Sequence, residues 1–278
     1  MKRILTVQDI SCVGKCSGTV AVPVLSAMGV EAALLPTAVL STHTGFSGFT
    51  FRDLTDDIPG IAAHWRSEDL RFDAFYSGYL GSIKQVRMVG ELFAERKRKT
   101  DPVLVDPVMA DHGKFYAGFG PEFAAEMKSL CAGADVIVPN VTEACFLLGK
   151  PFKERFSDAE LKDLLYGLGE LGAGTVILTG IETGKNAIGA TCYDVKKGTF
   201  ETPQAEKQPA MFHGTGDLFA SAVLGALMNG KTAGEATALA VDYIAECIRV
   251  TLEDPDHVFY GVEFEKVFPW LLKRLGTL

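Results

Sequence analysis

The sequence lacks the features that mark membrane and secreted proteins. Nowhere in its 278 residues is there a run approaching the ~20 apolar residues of a membrane span. The apolar stretch after Lys2 and Arg3 is interrupted by Gln8 and Asp9, so it is too short for the core of a signal peptide. These absences predict a cytoplasmic protein that does not associate with membranes.

Basic residues are too few for a nucleic-acid binder. The 27 Lys and Arg residues are outnumbered by 35 Asp and Glu residues, which gives a formal net charge of −8. Proteins that neutralise phosphates need clustered Lys and Arg. The basic cluster at 96–99 follows an apolar helical pattern, and cations in the last turn of a helix are stabilised by its dipole. We therefore predict no nucleic-acid partner and interpret the cluster as a helix end.

Closely paired cysteines are also missing. The chain has 6 Cys residues and no C-x-x-C pair. Cys12 and Cys16 have the wrong spacing for a zinc knuckle, and no His lies near them in the sequence. We expect free thiols, most of them buried, as in a cytosolic protein.

The sequence does contain a regular alternation of short apolar runs with amphipathic stretches. Predicted strands cover residues 4–7, 32–40, 74–77, 103–105, 136–138 and 175–178, followed by a hairpin-like pair at 186–193 and 199–202. Predicted helices cover 19–28, 58–65, 83–98, 121–131, 142–148, 157–171, 218–228, 233–252 and 262–275. This pattern predicts an α/β fold with a mostly parallel central β-sheet and helices on both faces. No linker divides the chain, so we expect a single domain over residues 1–278.

Residues 225–232 match the P-loop pattern G-x-x-x-x-G-K-[ST]. A P-loop needs a strand before it and a helix after it. Here the preceding residues continue an apolar helical run, and Ala226, Leu227 and Met228 are strong helix formers. We therefore interpret Asn229 and Gly230 as the end of a helix and reject the P-loop.

A better candidate for a phosphate site is the turn Gly214, Thr215, Gly216 and Asp217. Two glycines leave backbone N–H groups free to approach an anion, and the positive end of the following helix points at the same place. Asp217 could accept the proton of a hydroxyl that attacks the phosphate. The alternative is that Asp217 only stabilises the helix dipole.

Further carboxylates follow two buried strands of the predicted sheet. Asp106 and Asp111 follow one strand, and Asn140 and Glu143 follow the next. Asn140 and Glu143 also have the spacing of a capping box, which is the structural alternative. Since ligands bind outside the carboxyl ends of parallel strands, the acids should converge there. Converging carboxylates are costly unless a cation joins them, and Mg²⁺ with a bound triphosphate fits that need.

Hydroxyl groups and one aromatic ring follow the N-terminal strands. Ser11, Thr44 and Tyr79 could contact a small polar aromatic ligand. His43, beside Thr44, is more often a structural hydrogen bonder than a catalyst.

Taken together, these motifs resemble the ribokinase-like superfamily and, within it, the pyridoxal/pyridoxamine kinases. The resemblance covers residues 4 to about 252, nearly the whole chain. The matching segments are Ser11, residues 43–45, residues 77–82, residues 106–109, the P-N-x-x-E motif at 139–143 and the G-T-G-D-L-F motif at 214–219.

The resemblance implies transfer of the γ-phosphate of ATP to the 5′-hydroxyl of a vitamin B6 vitamer. It implies a catalytic base at Asp217 and an anion hole at the backbone of residues 214–216. It also implies a homodimer. The remaining implied roles are Mg²⁺ or monovalent-cation (K⁺ or Na⁺) binding by Asp106 and Glu143, support of the metal–phosphate network by Asn140, proximity of Asp111 and Thr179 to the triphosphate, and a pyridine pocket lined by Ser11, Thr44 and Tyr79.

Two other functions remain open at this point. Hydroxymethylpyrimidine phosphate kinase belongs to a sister family, whose members resemble G-T/A-G-C at the anion hole, so Asp217 favours the pyridoxal branch. A non-catalytic sensor of vitamers or nucleotides on the same fold would be favoured by loss of the base or of a metal carboxylate. Both kinds of residue are present in this chain.

Overall fold

A ten-stranded sheet forms the centre of the protein. The structure is a computed structural model that describes residues 1–183 and 186–277. The strands are β1 (Arg3–Val13), β2 (Glu31–Thr42), β3 (Phe51–Asp53), β4 (Ala74–Ser77), β5 (Val103–Val105), β6 (Ala110–Asp111), β7 (Lys114–Phe115), β8 (Val136–Ile137), β9 (Thr175–Thr183), β10 (Ala187–Asp194), β11 (Thr199–Glu201) and β12 (Gln204–Glu206). Their order is β11-β10-β9-β8-β5-β4-β1-β2-β3, with β12 also paired to β10 and with β6 and β7 forming a separate hairpin.

The central strands of the sheet are parallel, as the sequence predicts. The pairs that join β2, β1, β4, β5, β8 and β9 are parallel, whereas β3, β10, β11 and β12 pair antiparallel. All residues of β4 and β5 are buried, and neither strand alternates apolar with polar residues, as is typical of buried parallel strands; the ends of both strands are predicted correctly.

Helices cover both faces of the sheet. They are α1 (Gly18–Ala27), α2 (Ile58–Ser67), α3 (Ile83–Arg96), α4 (Pro121–Ala132), α5 (Val141–Leu147), α6 (Asp158–Gly169), α7 (Thr215–Met228), α8 (Ala233–Glu253) and α9 (Phe268–Leu275). One buried cluster contains residues of α1, α7, α8 and α9, and a second contains residues of α2 to α6. Within the two described ranges, none of the helices has the length and apolar character needed to cross a membrane.

The predicted helix at 262–275 is wrong as a single element. A 3₁₀ turn (Phe264–Val267) precedes α9, and Pro269 lies at the start of α9. Proline lacks the N–H that a continuous helix would need at this position, so the chain begins a new helix there.

The basic cluster lies mostly beyond a helix rather than inside its last turn. Helix α3 ends at Arg96, so the other three basic residues follow the helix. Lys97 pairs with Asp135, and Arg98 pairs with Asp101. Lys97 and Arg98 are thus paired with carboxylates of the fold, and the predicted helix-dipole role applies only to Arg96.

The P-loop match is structurally a helix end, as predicted. Residues up to Met228 belong to α7, Asn229 is its C-cap, and Thr232 is the N-cap of α8. The prediction for the cysteines is also confirmed for the four that are buried and free, Cys131, Cys145, Cys192 and Cys247, whereas Cys12 is exposed.

The buried side-chain amide of Gln85 fixes the loop after β4 to β2. Gln85, in the first turn of α3, is 1% exposed. Its Nε2 donates to Thr37 O at 3.0 Å and to Thr55 Oγ1 at 2.8 Å. Its Oε1 accepts from Gly81 N at 2.7 Å. The same side chain therefore holds β2, the segment after β3 and the loop that carries Tyr79.

We predict that Gln85→Leu lowers the free energy of unfolding by about 1–3 kcal/mol, because it leaves Gly81 N without the acceptor it has here and removes the hydrogen bonds to Thr37 O and Thr55 Oγ1. Urea denaturation measures the change. Lys84→Leu is the neighbouring control, since Lys84 is largely exposed and pairs with Asp56 at the surface. Equal effects of the two substitutions would contradict a special role for the amide.

Candidate active site

The residues predicted to carry function lie at the carboxyl ends of the parallel strands. Asp9 and Ser11 lie near the end of β1, Tyr79 follows β4, and Asp106 follows β5. Asn140 follows β8 and forms a parallel bridge with Thr179 of β9. This edge is where open α/β sheets bind ligands.

The turn before α7 can be built only with glycine at its first position. Gly214 is the N-cap of α7 and has φ 79°. A Cβ at this residue would lie 1.7 Å from the carbonyl oxygen of Lys15. Gly216 has open space beside its Cα, since a Cβ at that residue would meet no atom within 4 Å. The turn therefore packs tightly against the loop after β1 and leaves room for an anion on its other side.

Asp217 lies in the first turn of α7, directly after the turn at Gly214. Desolvation raises the pKa of its carboxyl to about 7, and the nearby charge of Asp9 adds to the increase. A hydrogen bond from the backbone of Ser17 partly opposes the shift. A carboxyl with a pKa near neutrality can accept a proton at physiological pH, as a general base must.

Asp106 and Glu143 form a buried pair of carboxylates beside Asp217. They are 6% and 3% exposed. Desolvation raises the pKa of Asp106 well above its usual range, followed by the charges of Glu143 and Asp217. Desolvation also raises the pKa of Glu143 to about 8. Of the acids that the sequence predicts to converge, Asp106 and Glu143 are thus buried together beside Asp217, and the charge of the third, Asp111, adds to the raised pKa of Glu143.

Glu143 also forms the capping box that was the structural alternative. Its Oε2 accepts from Asn140 N at 2.9 Å, while Asn140 Oδ1 accepts from Glu143 N at 2.9 Å. Its Oε1 accepts from Met109 N at 3.0 Å. Asn140 Nδ2 donates to Ala110 O at 2.8 Å. These bonds fix the Glu143 carboxylate and tie α5 to the segment after β5.

The donor set fits a cation that takes part of its ligands from a nucleotide. Among the residues that the structure describes, no three His, Cys, Asp or Glu side chains are arranged to hold a metal by themselves. Mg²⁺ commonly uses one or two carboxylates plus water and substrate phosphates. The buried pair Asp106 and Glu143 has this chemistry, and the cost of its shared burial would be offset by a divalent cation.

The two residues predicted near the triphosphate differ in their surroundings. Asp111 lies in the β6–β7 hairpin, its side chain is about half exposed, and its charge contributes to the raised pKa of Glu143. Thr179 Oγ1 donates to Pro139 O at 3.4 Å. Both lie near the Asn140–Glu143 segment, and their contact with a nucleotide stays a prediction.

Ser11, Thr44 and Tyr79 are predicted to line a pyridine pocket, and they differ in how deeply they are buried. Ser11 is buried, and its Oγ donates to Asp9 Oδ2 at 3.2 Å. Tyr79 is half-buried, and desolvation raises its pKa, followed by the charge of Asp9. Thr44 is exposed, so its role stays a prediction.

Two residues near these acids were given no role from the sequence. Asp9 is buried near the end of β1; the sequence places it among the polar residues after the first strand, at the ligand-binding edge, but does not single it out. Tyr116 follows the β6–β7 hairpin, and its pKa is raised by desolvation and then by the charges of Glu143, Asp111, Asp106 and Asp217. The polar interruption of the β1 run could have indicated Asp9, whereas no local pattern indicated Tyr116.

His43 has the structural role that was expected of it. Its Nδ1 accepts from Gly45 N at 2.9 Å, so Nε2 carries the proton and donates to Tyr260 O at 3.2 Å. Its ring centre is 4.9 Å from that of His213, the residue before Gly214. The imidazole therefore joins three loops beside the site.

Comparisons with known proteins identify the family to which this chain belongs. A family model described as phosphomethylpyrimidine kinase matches residues 22–259. A Bacteroides thetaiotaomicron protein assigned to the same activity, in a crystal form with pyridoxal, is 38% identical, with a TM-score of 0.93 and coverage of 97% of this chain and 95% of that one.

Pyridoxal kinases are similar over nearly their whole length. The structure of the Lactobacillus plantarum enzyme is 31% identical, with a TM-score of 0.90 and coverage of 98% of this chain and 97% of that one. The Arabidopsis thaliana enzyme is 27% identical over 268 residues, which are 91% of this chain and 83% of the relative. The predicted fold and family are confirmed: the chain belongs to the pyridoxal kinase family of the ribokinase-like superfamily, whose members are kinases that phosphorylate an alcohol group.

Proposed function

We propose that this protein transfers the γ-phosphoryl group of ATP to the 5′-hydroxyl of a vitamin B6 vitamer. The observation that carries the proposal is Asp217, whose pKa is raised to about 7 directly behind the turn at Gly214. The pyridoxal in the crystal of the Bacteroides relative and the names of the pyridoxal kinase relatives support the choice of acceptor.

The acceptor hydroxyl must lose its proton as the phosphoryl group arrives. Asp217, in the first turn of α7, would take that proton. A hydrogen bond from the backbone of Ser17 holds its carboxylate in place. The raised pKa brings this carboxyl close to the operating pH, where a base combines a high ionised fraction with useful proton affinity.

Charge on the transferred group would be stabilised by backbone N–H groups. The turn formed by Gly214, Thr215 and Gly216 begins α7, so its N–H groups point away from the helix toward the anion. Preorganised donors of this kind stabilise a phosphoryl transition state without reorganising.

Asp106 and Glu143 would hold Mg²⁺ together with the nucleotide. When bound, Mg²⁺ neutralises charge on the phosphate oxygens as a Lewis acid. The chain's own contribution is to fix both carboxylates: Glu143 by Met109 N and Asn140 N, and Asp106 by its place at the end of β5. Asp111, Asn140 and Thr179 would line the triphosphate side, and Ser11, Thr44 and Tyr79 the vitamer side.

The description of the family model favours hydroxymethylpyrimidine phosphorylation as a second candidate. Turnover with Mg·ATP and each of pyridoxal, pyridoxamine, pyridoxine and hydroxymethylpyrimidine, followed as ADP release and phosphorylated product, decides between them. Turnover of a vitamer alone supports the proposal, and turnover of the pyrimidine alone replaces it. Binding without turnover would identify a sensor. The homodimer, the cytoplasmic location and a monovalent cation stay predictions.

We predict that Asp217→Asn lowers the single-turnover rate of vitamer phosphorylation by about 10²–10⁴-fold, the usual cost of losing a general base. Asparagine keeps the size and one acceptor oxygen, so ATP and the vitamer should still bind. In the parent enzyme the rate should fall as the pH drops below about 7, because protonated Asp217 cannot act as a base.

Glu235→Gln controls for the loss of a carboxylate in the first turn of a helix. Glu235 holds that position in α8, outside the site. Its substitution should leave the rate unchanged. A rate for Asp217→Asn within about threefold of the parent would be too high for a lost base and would overturn the assignment.

We also predict that the free Mg²⁺ concentration for half-maximal rate falls as the pH rises through about 8 at constant Mg·ATP. The pKa of Glu143 is raised to about 8, so below this pH a proton competes with the cation for the carboxylate pair. Glu143→Gln should raise the Mg²⁺ requirement and flatten this pH dependence.

Glu160→Gln is a matched control for the second prediction. Glu160 occupies the same capping-box position in α6, but its side chain is 40% exposed and its pKa is lowered to about 2. Its substitution should not change the Mg²⁺ titration. An unchanged titration for Glu143→Gln as well would leave Glu143 with only its capping role.

A further inference from the structure

A buried carboxylate that the proposed reaction does not use lies beside Ser11, one of the residues proposed to line the vitamer side of the site. Asp9 is 4% exposed. The pairing between β1 and β2 shifts register at this residue, since Gln8 pairs with Pro36 and Ile10 with Val39. Such irregularities re-aim side chains and are frequent next to active sites. The extra residue lies in β2, so Asp9 is opposite the irregularity, at the ligand-binding edge of the sheet.

The carboxylate of Asp9 is hydrogen-bonded within the β1 edge and is close enough to Tyr79 and Asp217 for its charge to act on both. Ser11 Oγ donates to its Oδ2 at 3.2 Å. Its charge contributes to the raised pKa of Tyr79, on the pocket wall, and to that of Asp217. A vitamer whose 5′-hydroxyl reaches Asp217 while its ring lies against Tyr79 would therefore pass close to the Asp9 carboxylate.

Asp9 has no basic partner among the residues that the structure describes. The ion pairs found there, counted to an N–O distance of 4.0 Å, do not include it. Desolvation raises its pKa, and the hydroxyls of Ser17 and Ser11 offset only part of that effect. A buried carboxylate is costly unless a cation or several donors compensate it. The missing compensation can come from the substrate.

The three B6 vitamers differ at a single substituent of the ring. Pyridoxal carries an aldehyde, which only accepts hydrogen bonds, and pyridoxine carries a hydroxymethyl group. Pyridoxamine carries an aminomethyl group, which is a cation at neutral pH. A carboxylate also only accepts, so it repels the aldehyde oxygen and forms a charge-assisted hydrogen bond with the ammonium.

We propose that Asp9 is a specificity-determining residue that binds the ammonium group of pyridoxamine and makes this vitamer the preferred substrate. The inference rests on the proposed function and adds the identity of the preferred vitamer. If Asp9 instead bound a ring atom that all three vitamers share, replacing Asp9 would affect the three vitamers equally. If Asp9 binds the ammonium group, the replacement would affect pyridoxamine selectively, so the two possibilities can be separated.

The test compares kcat/KM for the three vitamers in the parent enzyme and in Asp9→Asn. Asparagine keeps the shape and can donate to an aldehyde, but it lacks the charge. We expect the pyridoxamine-to-pyridoxal ratio of kcat/KM to fall by about 10- to 100-fold, the effect expected for a charge-assisted hydrogen bond. Calorimetric binding of each vitamer without ATP should show the same change in selectivity.

Asp53→Asn controls for electrostatic effects at a distance. Asp53 also contributes to the raised pKa of Tyr79, yet it is exposed. Its substitution should leave the ratio unchanged. An equal loss for all three vitamers in Asp9→Asn would overturn the proposal, because it would indicate a shared contact or a structural role.

The vitamer preference of the parent enzyme is a second test of the proposal, and it does not depend on whether a variant folds. A parent that prefers pyridoxal or pyridoxine over pyridoxamine contradicts the role of Asp9 while leaving B6 phosphorylation intact. A parent that phosphorylates none of the three vitamers contradicts the proposed function itself. The two failures therefore give different results.

Discussion

The cost of keeping several carboxylates out of water in one place governs this site. Asp106, Glu143, Asp217 and Asp9 lie at one edge of the sheet, and desolvation is the largest cause of the raised pKa of each. The fold supplies backbone donors and helix starts but, among the described residues, no basic side chain paired with Asp9. Because burial raises these pKa values, protons compete for the cluster near neutral pH, and cations that arrive with the substrates can replace those protons.

This constraint connects ligand binding to stability. A carboxyl whose pKa is higher in the folded than in the unfolded chain favours folding at low pH, and that contribution is lost as the pH rises through the folded value. For Glu143 this loss occurs up to about pH 8, and for Asp217 up to about pH 7. Anything that neutralises the acids in the folded state alone, such as a divalent cation, therefore also stabilises the fold.

Sequence reasoning predicted a local structure correctly where the residues of one short segment are enough to determine it. The Gly214–Asp217 turn and the buried strands β4 and β5 are of this kind. It failed where distant segments decide. The edge strands β3 and β12 have three residues each and exist because a neighbouring strand pairs with them. Asp9 gains its meaning only from the register shift against β2 and from the position of Asp217 across the sheet edge.

Glu143 shows why the structural and functional interpretations of a motif need not compete. Its capping box uses one lone-pair direction on Oε2, and Met109 N uses one on Oε1. A carboxylate has about four such directions, so the bonds that cap α5 leave others for a cation. Capping also gives the carboxylate one orientation, which metal binding in a buried site requires. The capping-box spacing of Asn140 and Glu143, which has a purely structural explanation in the sequence, thus also orients the Glu143 carboxylate for the proposed cation binding.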